Sequence, residues 1–145
     1  MLSYLALFFS AFVAATLAPM GSEAVLFALV RAGEPVVWLV LVASVGNTLG
    51  SVVNYGLGRG LLRHPRVERC LRIKPEQLSR IEHWFARFGP VVLVLAWLPV
   101  VGDPLTLVAG AARVRFTVFL FWVALGKTAR YAVVVGLAQG SQVLF

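Results

Sequence analysis

The sequence predicts an all-α membrane protein that contains an inverted repeat of two units. Each unit is a re-entrant helical hairpin plus a transmembrane helix, and a cytoplasmic amphipathic linker joins the two. Composition is the first reason, because 60% of the 145 residues are hydrophobic and only 13% are charged, as in membrane proteins. The second reason is that two apolar runs are broken by proline and glycine at matching positions. The third is that ionisable residues lie within the apolar segments, where charge is costly.

Pro19 and Gly21 break the first apolar run. The stretch before them is Leu2–Ala18, and a short piece, Ala24–Val30, follows them. A proline inside a helix removes a hydrogen bond and clashes with the preceding turn, so a helix is expected to end here. The short piece would extend only about 10 to 12 Å, against about 30 Å of hydrocarbon. The two pieces are therefore predicted to form a hairpin that enters and leaves the membrane on one side.

The third apolar segment, Val36–Leu57, is predicted to be a transmembrane helix. The residues from Pro35 to Gly58 include no charged side chain, and this length exceeds the roughly 20 residues that cross a bilayer core. This helix completes the first repeat, residues 1–60.

Positive charge is concentrated in the block Arg59–Arg87, which holds eight of the thirteen Lys and Arg residues against three acids. Within a chain of net charge +7, such a block is typical of a cytoplasmic loop and does not indicate a nucleic-acid site. Residues 61–87 are accordingly the predicted linker. From Pro75 onward it has the pattern of an amphipathic helix, which either lies on an anionic leaflet or only positions its neighbours. Its apolar residues are Leu78, Ile81, Trp84, Phe85 and Phe88.

Residues 88–145 form the predicted second repeat. Pro99, Gly102 and Pro104 interrupt a segment that runs from about Phe88 to Ala112, so it too is predicted to be a hairpin. The final segment, Phe116–Ala138, is predicted to be the second transmembrane helix.

An ungapped shift that places Pro19 on Pro99 aligns the two halves of the sequence. One repeat has a single full crossing, so its second copy must enter the membrane from the opposite side. Arg113 and Arg115 then return to the cytoplasmic side, whereas four ordinary spans would place them outside, against the positive-inside tendency. The further coincident pairs include Glu23 with Asp103, Gly46 with Gly126, and Thr48 with Thr128.

Polar residues within the apolar segments are the candidates for a substrate or ion path, because intramembrane ionisable groups are by default functional. Lys127 and Arg130 share a helical face at a spacing of three, and Asn47 occupies the position equivalent to Lys127. The candidates are Glu23, Asp103, Lys127, Arg130, Asn47, Ser51 and Asn54.

Structural roles are also open for these residues. Asp103 before Pro104 suits an N-cap followed by an N1 proline, and Ser22 with Glu23 suits a helix start. The cations could simply compensate the acids. Capping and transport are compatible, because a helix N-terminus at membrane depth also attracts anions. No catalytic constellation, metal site or cofactor motif is recognisable, so the sequence does not predict an enzyme.

The stretch Gly46–Arg59, with its Gly-Asn-Thr-Leu-Gly and Asn-Tyr-Gly-Leu-Gly elements, resembles the DedA family, also called the VTT domain family. Trp97–Asp103 and Leu125–Tyr131 look closest to its YqaA-like subgroup. The resemblance implies two opposed re-entrant hairpins, a bacterial inner-membrane location, and movement of lipids or ions. Relatives are associated with undecaprenyl-phosphate or phospholipid translocation, in some cases proton-dependent. Typical members carry an acid where this chain has Ser51, and hairpin arginines that Trp97–Asp103 does not contain.

The leading hypothesis is a translocase for an anionic lipid such as a phospholipid or a polyprenyl phosphate. Glu23 and Asp103 would be protonatable coupling groups, and Lys127 and Arg130 would contact the headgroup. The alternatives are an ion- or proton-coupled carrier of a small anion and a non-transporting membrane scaffold. The expected partners are membrane lipids and protons or another coupling ion, with no nucleic acid. A homo-oligomer stays open.

Overall fold

The computed structural model describes residues 1–16, 21–61, 74–98 and 101–143, and within these ranges the chain is helical with no strand. Gly21 and Gly102 lie at the starts of two helices and Pro104 in a first turn, whereas Pro19 and Pro99 fall outside the described residues. A 3₁₀ helix, Gly89–Trp97, follows the fourth α-helix without a gap. The α-helices are α1 (Leu2–Thr16), α2 (Ser22–Arg31), α3 (Val36–Leu61), α4 (Pro75–Phe88), α5 (Gly102–Ala111) and α6 (Phe116–Val143).

Helices α3 and α6 contain the stretches that are long and apolar enough to cross a membrane, Val36–Gly60 and Phe116–Gly140. Both helices continue beyond their predicted ends, to Leu61 and Val143. The predicted ends precede residues that are mostly glycine or polar. A glycine in a helix costs only about 1 kcal/mol relative to alanine, so the backbone hydrogen bonds of the helix can continue through it.

The local backbone repeats at the same offset that aligns Pro19 with Pro99 in the sequence. Helices α2 and α5 begin at residues 22 and 102, and α3 and α6 begin at residues 36 and 116. Both short helices end in a Schellman motif. The Glu34 amide donates to the Leu29 carbonyl at 3.2 Å, and the Val114 amide donates to the Ala109 carbonyl at 3.1 Å. The same bend is thus built twice, while the direction in which each copy enters the membrane stays a prediction.

The left-handed residue of the two Schellman motifs differs. In the first motif it is Gly33, with φ +82°, and in the second it is Arg113, with φ +55°. Glycine adopts this conformation without steric cost, whereas a residue with a Cβ atom loses about 1 kcal/mol or more. Arg113 therefore occupies a position at which the backbone favours glycine.

Two compact units make up the chain, and the first consists of residues 1–50 and 127–145. The Tyr4 hydroxyl near the start of α1 donates to Glu34 Oε2 beyond the end of α2 at 2.8 Å, so the two helices form an antiparallel pair. The small residues of the Gly46-x-x-x-Gly50 face admit α1, because a Cβ at either glycine would lie 2.6 Å from a backbone oxygen of α1. The core consists of Leu7, Ala11, Leu26, Val30, Leu39, Ala43, Tyr131, Val135 and Ala138.

The second unit consists of residues 51–126. Helix α4 is amphipathic, as predicted, but Ile81 is only 2% exposed, and Trp84 and Phe85 pack against the core. The apolar face of α4 therefore packs on protein, which favours the positioning role over a helix whose apolar face lies in a leaflet. The core consists of Tyr55, Ile81, Val92, Leu93, Ala96, Leu105, Val108, Ala109, Phe119 and Val123.

Within this second unit, α3 and α5 cross at two glycines. A Cβ atom at Gly58 would overlap the Leu107 carbonyl oxygen, and one at Gly110 would overlap the Tyr55 carbonyl oxygen. The Tyr55 hydroxyl donates to the Val114 carbonyl at 2.5 Å, which ties the residues after α5 to α3. The last turns of α3 and the start of α6 consequently lie at one end of this unit.

Candidate functional site

An ion pair between Glu23 and Arg130 is the centre of the candidate site in the first unit. Arg130 Nε donates to Glu23 Oε1 at 2.7 Å, and Arg130 Nη2 donates to the same oxygen. The Arg130 side chain is 13% exposed, whereas that of Glu23 is 43% exposed. The guanidinium is thus largely covered while the carboxylate is open on one side, and Glu23 Oε2 lies outside the pair.

Local structure explains the place of the carboxylate. Gly21 precedes α2 with φ +138°, a conformation that few residues other than glycine adopt, and Glu23 is the second residue of the helix. A carboxylate in the first turn is stabilised by the helix dipole. The predicted helix start at Ser22 and Glu23 is confirmed, because α2 begins at Ser22, but the N-cap is Gly21 and neither Ser22 nor Glu23 occupies that position.

Charge also lies at the middle of α6. Lys127 and Arg130 are within about 3 Å, along the helix axis, of the middle of the membrane-crossing stretch Phe116–Gly140. Lys127 is 2% exposed, and Asn47, close to the middle of the apolar stretch of α3, is 3% exposed. Two cations and one carboxylate therefore belong to the apolar part of this unit, and such groups are retained in membranes chiefly for function.

The Tyr131 hydroxyl joins three helical segments. Asn47 Nδ2 donates to it at 2.8 Å, and the Ser22 hydroxyl lies 3.0 Å from it. Ser22 precedes Glu23 in the chain, and Arg130 precedes Tyr131. The bond between Ser22 and Tyr131 therefore lies beside the ion pair and joins the same two helices, α2 and α6. Ser22 and Tyr131 were not among the predicted site residues. The sequence offered one sign of this role for Tyr131: it is a tyrosine within an apolar helix, and a buried tyrosine hydroxyl usually has a hydrogen-bond partner.

We expect Tyr131→Phe to lower the free energy of unfolding by about 1–3 kcal/mol, because it leaves the buried Asn47 amide and Ser22 hydroxyl without this partner. The matched control is Tyr4→Phe, which removes one hydroxyl from a more accessible bond and should cost about 0.5 kcal/mol or less. Denaturant unfolding of the detergent-solubilised protein, followed by circular dichroism, measures both. Equal losses for the two variants would contradict a joining role for Tyr131.

Asp103, Ser51 and Asn54 belong to the second unit. The prediction that Asp103 is an N-cap is wrong, because α5 begins at Gly102 and its N-cap is Val101. Gly102 has no side chain and packs against the Ala96 backbone, so the helix can start one residue before Asp103. Asp103 instead lies in the first turn, where the Thr106 hydroxyl donates to its backbone carbonyl at 2.7 Å. Ser51 and Asn54 are 0% and 3% exposed.

The seven predicted residues therefore fall into two groups. Glu23, Asn47, Lys127 and Arg130 are in the first unit, and the other three are in the second. A single path through all seven stays a prediction. Among the described residues, no group of three or more His, Cys, Asp or Glu side chains is arranged to hold a metal ion.

Comparison with known proteins adds the family. The sequence profile of the VTT domain matches residues 2–140. The inner membrane protein YqaA of Escherichia coli is 41% identical over 96% of this chain and 94% of its own length. An uncharacterized protein of Haemophilus influenzae is 34% identical over 91% of this chain and 85% of its own. No solved structure matches the chain. The chain therefore belongs to the VTT domain family, also called the DedA family, and is an inner membrane protein.

Proposed function

We propose that this protein translocates an anionic lipid, such as a phospholipid or a polyprenyl phosphate, across the inner membrane. The observation that carries the proposal is the Glu23–Arg130 ion pair, whose carboxylate is half open while its guanidinium is covered. Burial of an ion pair costs the desolvation of both charges, so a pair within apolar segments is weak evidence of a purely stabilising role. An open carboxylate at the start of α2 is instead reachable by a proton or a ligand.

The pair can exchange its carboxylate for a phosphate. When Glu23 takes up a proton, it no longer neutralises Arg130, and the planar guanidinium can donate to a phosphate in place of the carboxylate. Lys127 lies on the same face of α6, three residues away, and adds a second positive charge. Release of the proton would restore the ion pair and expel the anion. Asp103 is proposed as the second protonatable group, in the second unit.

Tyr131 makes such an exchange feasible without loss of structure. Its bonds to Ser22 and Asn47 do not involve the ion pair, so α2 stays attached to α6 when Glu23 and Arg130 separate. The headgroup site would therefore open by movement of two side chains, and side-chain rotations are much faster than displacement of a helix.

Two contacts support the proposed re-entrant hairpins. In the first unit the Tyr4–Glu34 bond places the start of α1 and the end of α2 together. In the second unit the Tyr55–Val114 bond places the residues after α5 beside the last turns of α3. A continuous span from residue 88 to residue 112 would leave Val114 on the opposite side of the membrane from the end of α3. Glu34 and Val114 also occupy equivalent positions in the two aligned halves, as an inverted repeat requires.

The protein reconstituted into liposomes is expected to accelerate the flip-flop of a fluorescent anionic lipid. Glu23→Gln should reduce the accelerated rate at least tenfold, because a neutral amide can neither take up the proton nor restore the ion pair. Dithionite quenching of the labelled lipid measures the rate. The control variant is Glu76→Gln, which neutralises an exposed carboxylate in the first turn of α4 and should retain the wild-type rate.

The same liposomes separate the alternatives. Equal flip-flop rates with and without protein would overturn lipid translocation. Uptake of a small anion that follows an imposed pH gradient, with no lipid movement, would identify an ion-coupled carrier instead.

A further inference from the structure

Three exposed arginines, Arg59, Arg113 and Arg115, lie at one end of the second unit and form what we call the arginine cluster. Arg59 Nη1 donates to the Tyr55 hydroxyl at 3.2 Å, and that hydroxyl donates to the Val114 carbonyl. The side chain of Arg59 is thereby held next to the residue that separates Arg113 from Arg115. None of the three forms an ion pair with a carboxylate among the described residues.

Arg113 provides an independent reason to expect a ligand. It occupies the left-handed position of a Schellman motif, where the equivalent residue of the first unit is Gly33. The backbone alone would favour glycine at both positions, so arginine at this site weakens the fold locally. Strain of this kind is commonly retained where the side chain serves a function.

The position of the cluster identifies the ligand. The apolar stretch of α3 ends at Gly60, next to Arg59, and that of α6 begins at Phe116, next to Arg115. The cluster therefore lies where an apolar helix meets the phosphate layer of a bilayer. Three positive side chains in that layer repel one another unless an anion lies between them.

We propose that the arginine cluster binds the headgroup of an anionic phospholipid from the leaflet at this end of the unit. The three guanidinium groups donate to the phosphodiester, and the acyl chains lie along the exposed apolar surface of α3 and α6. This binding requires no movement of lipid across the membrane, so it stands independently of the proposed translocation.

The test uses the full chain in a neutral detergent, to which phosphatidylglycerol is added stepwise while the thermal unfolding temperature is measured. The wild type is expected to be stabilised by phosphatidylglycerol and not by phosphatidylcholine. Arg59→Gln and Arg115→Gln should each raise the concentration for half-maximal stabilisation about fivefold, the effect of one arginine near an anionic surface. High salt should weaken the wild-type response.

Arg113→Gly gives the most informative result, because its two readouts move in opposite directions. Without lipid it should unfold a few degrees higher than the wild type, since glycine fits φ +55° without strain. With phosphatidylglycerol it should need about five times more lipid for half-maximal stabilisation. A purely structural arginine would instead give a lower unfolding temperature and an unchanged lipid response.

The control is Arg31→Gln, which removes an exposed arginine from the end of α2 in the first unit and should leave the lipid response unchanged. An equal loss in Arg31→Gln would show that total charge and not the cluster is responsible, and would overturn the proposal. An unchanged lipid response in all three cluster variants would overturn it as well. So would stabilisation by soluble glycerol phosphate at the same concentration, because the ligand would then not be a membrane lipid.

Discussion

Replacement of Gly58 by alanine is expected to destabilise the second unit by about 3 kcal/mol or more, because the new methyl group would overlap the backbone of another helix. The atom it meets is the Leu107 carbonyl oxygen of α5. A backbone oxygen cannot rotate away as a flexible side chain can, so α5 would have to move as a body. The same reasoning applies to Gly110→Ala, which meets the Tyr55 carbonyl oxygen. We expect both variants to express poorly and to unfold at lower denaturant concentrations.

Helix α3 provides a matched control two residues away. A Cβ atom at Gly56 has no neighbouring atom within 4 Å. Gly56→Ala should therefore stabilise the protein by about 0.5–1 kcal/mol, the usual gain of alanine over glycine in a helix. Denaturant titration of the three variants in detergent measures the difference. If Gly58→Ala and Gly56→Ala unfolded alike, the close crossing of α3 and α5 would be wrong.

Removal of Arg130 is expected to abolish translocation and to destabilise the first unit. In Arg130→Met the Glu23 carboxylate loses its partner. A fully buried pair broken in this way loses about 3–5 kcal/mol, and because 43% of the Glu23 side chain is accessible we expect about 2 kcal/mol. The flip-flop rate should fall to that of protein-free liposomes. Arg80→Met, on the exposed face of α4, is the control and should retain the wild-type stability and rate.

The double variant Glu23→Gln with Arg130→Met separates a transport role from a scaffold role. Neutralising both partners removes the unpaired charge, so the unfolding free energy should return to within about 1 kcal/mol of the wild type. The flip-flop rate should nevertheless stay at the protein-free level, because the proposed exchange needs both groups. A double variant that regained both stability and flip-flop would identify the ion pair as a scaffold and overturn the proposed function.

Much of the helical layout follows from local sequence. The breaks near Gly21 and Gly102, the amphipathic helix from Pro75 onward and the constant offset between the two halves were all predicted, and the helix starts agree with them. Such features depend on proline, glycine and apolar periodicity, which act within a few turns of the chain. The family resemblance was predicted from the same segments and is confirmed over residues 2–140.

The exact residue at which each helix begins or ends was harder to predict, because small local contributions to the free energy compete there. Asp103 before Pro104 has the composition of an N-cap, yet Gly102 packs on a neighbouring backbone and the helix begins before the acid.

The amphipathic pattern of α4 predicts an apolar face but does not determine whether lipid or protein covers it. Packing of Ile81 into the core decides that question in favour of protein.

The sequence alone determined that Glu23, Lys127 and Arg130 lie within apolar segments and must have polar surroundings. Only the tertiary structure decided that Arg130 pairs with Glu23 and that Tyr131 supports the same two helices. Glu23 and Arg130 are 107 residues apart in the chain. Their approach depends on how the helices pack, which no local pattern encodes, and both lysine and arginine satisfy the sequence requirement for a cation. The packing also left the carboxylate open and the guanidinium covered, and the proposed function depends on that difference.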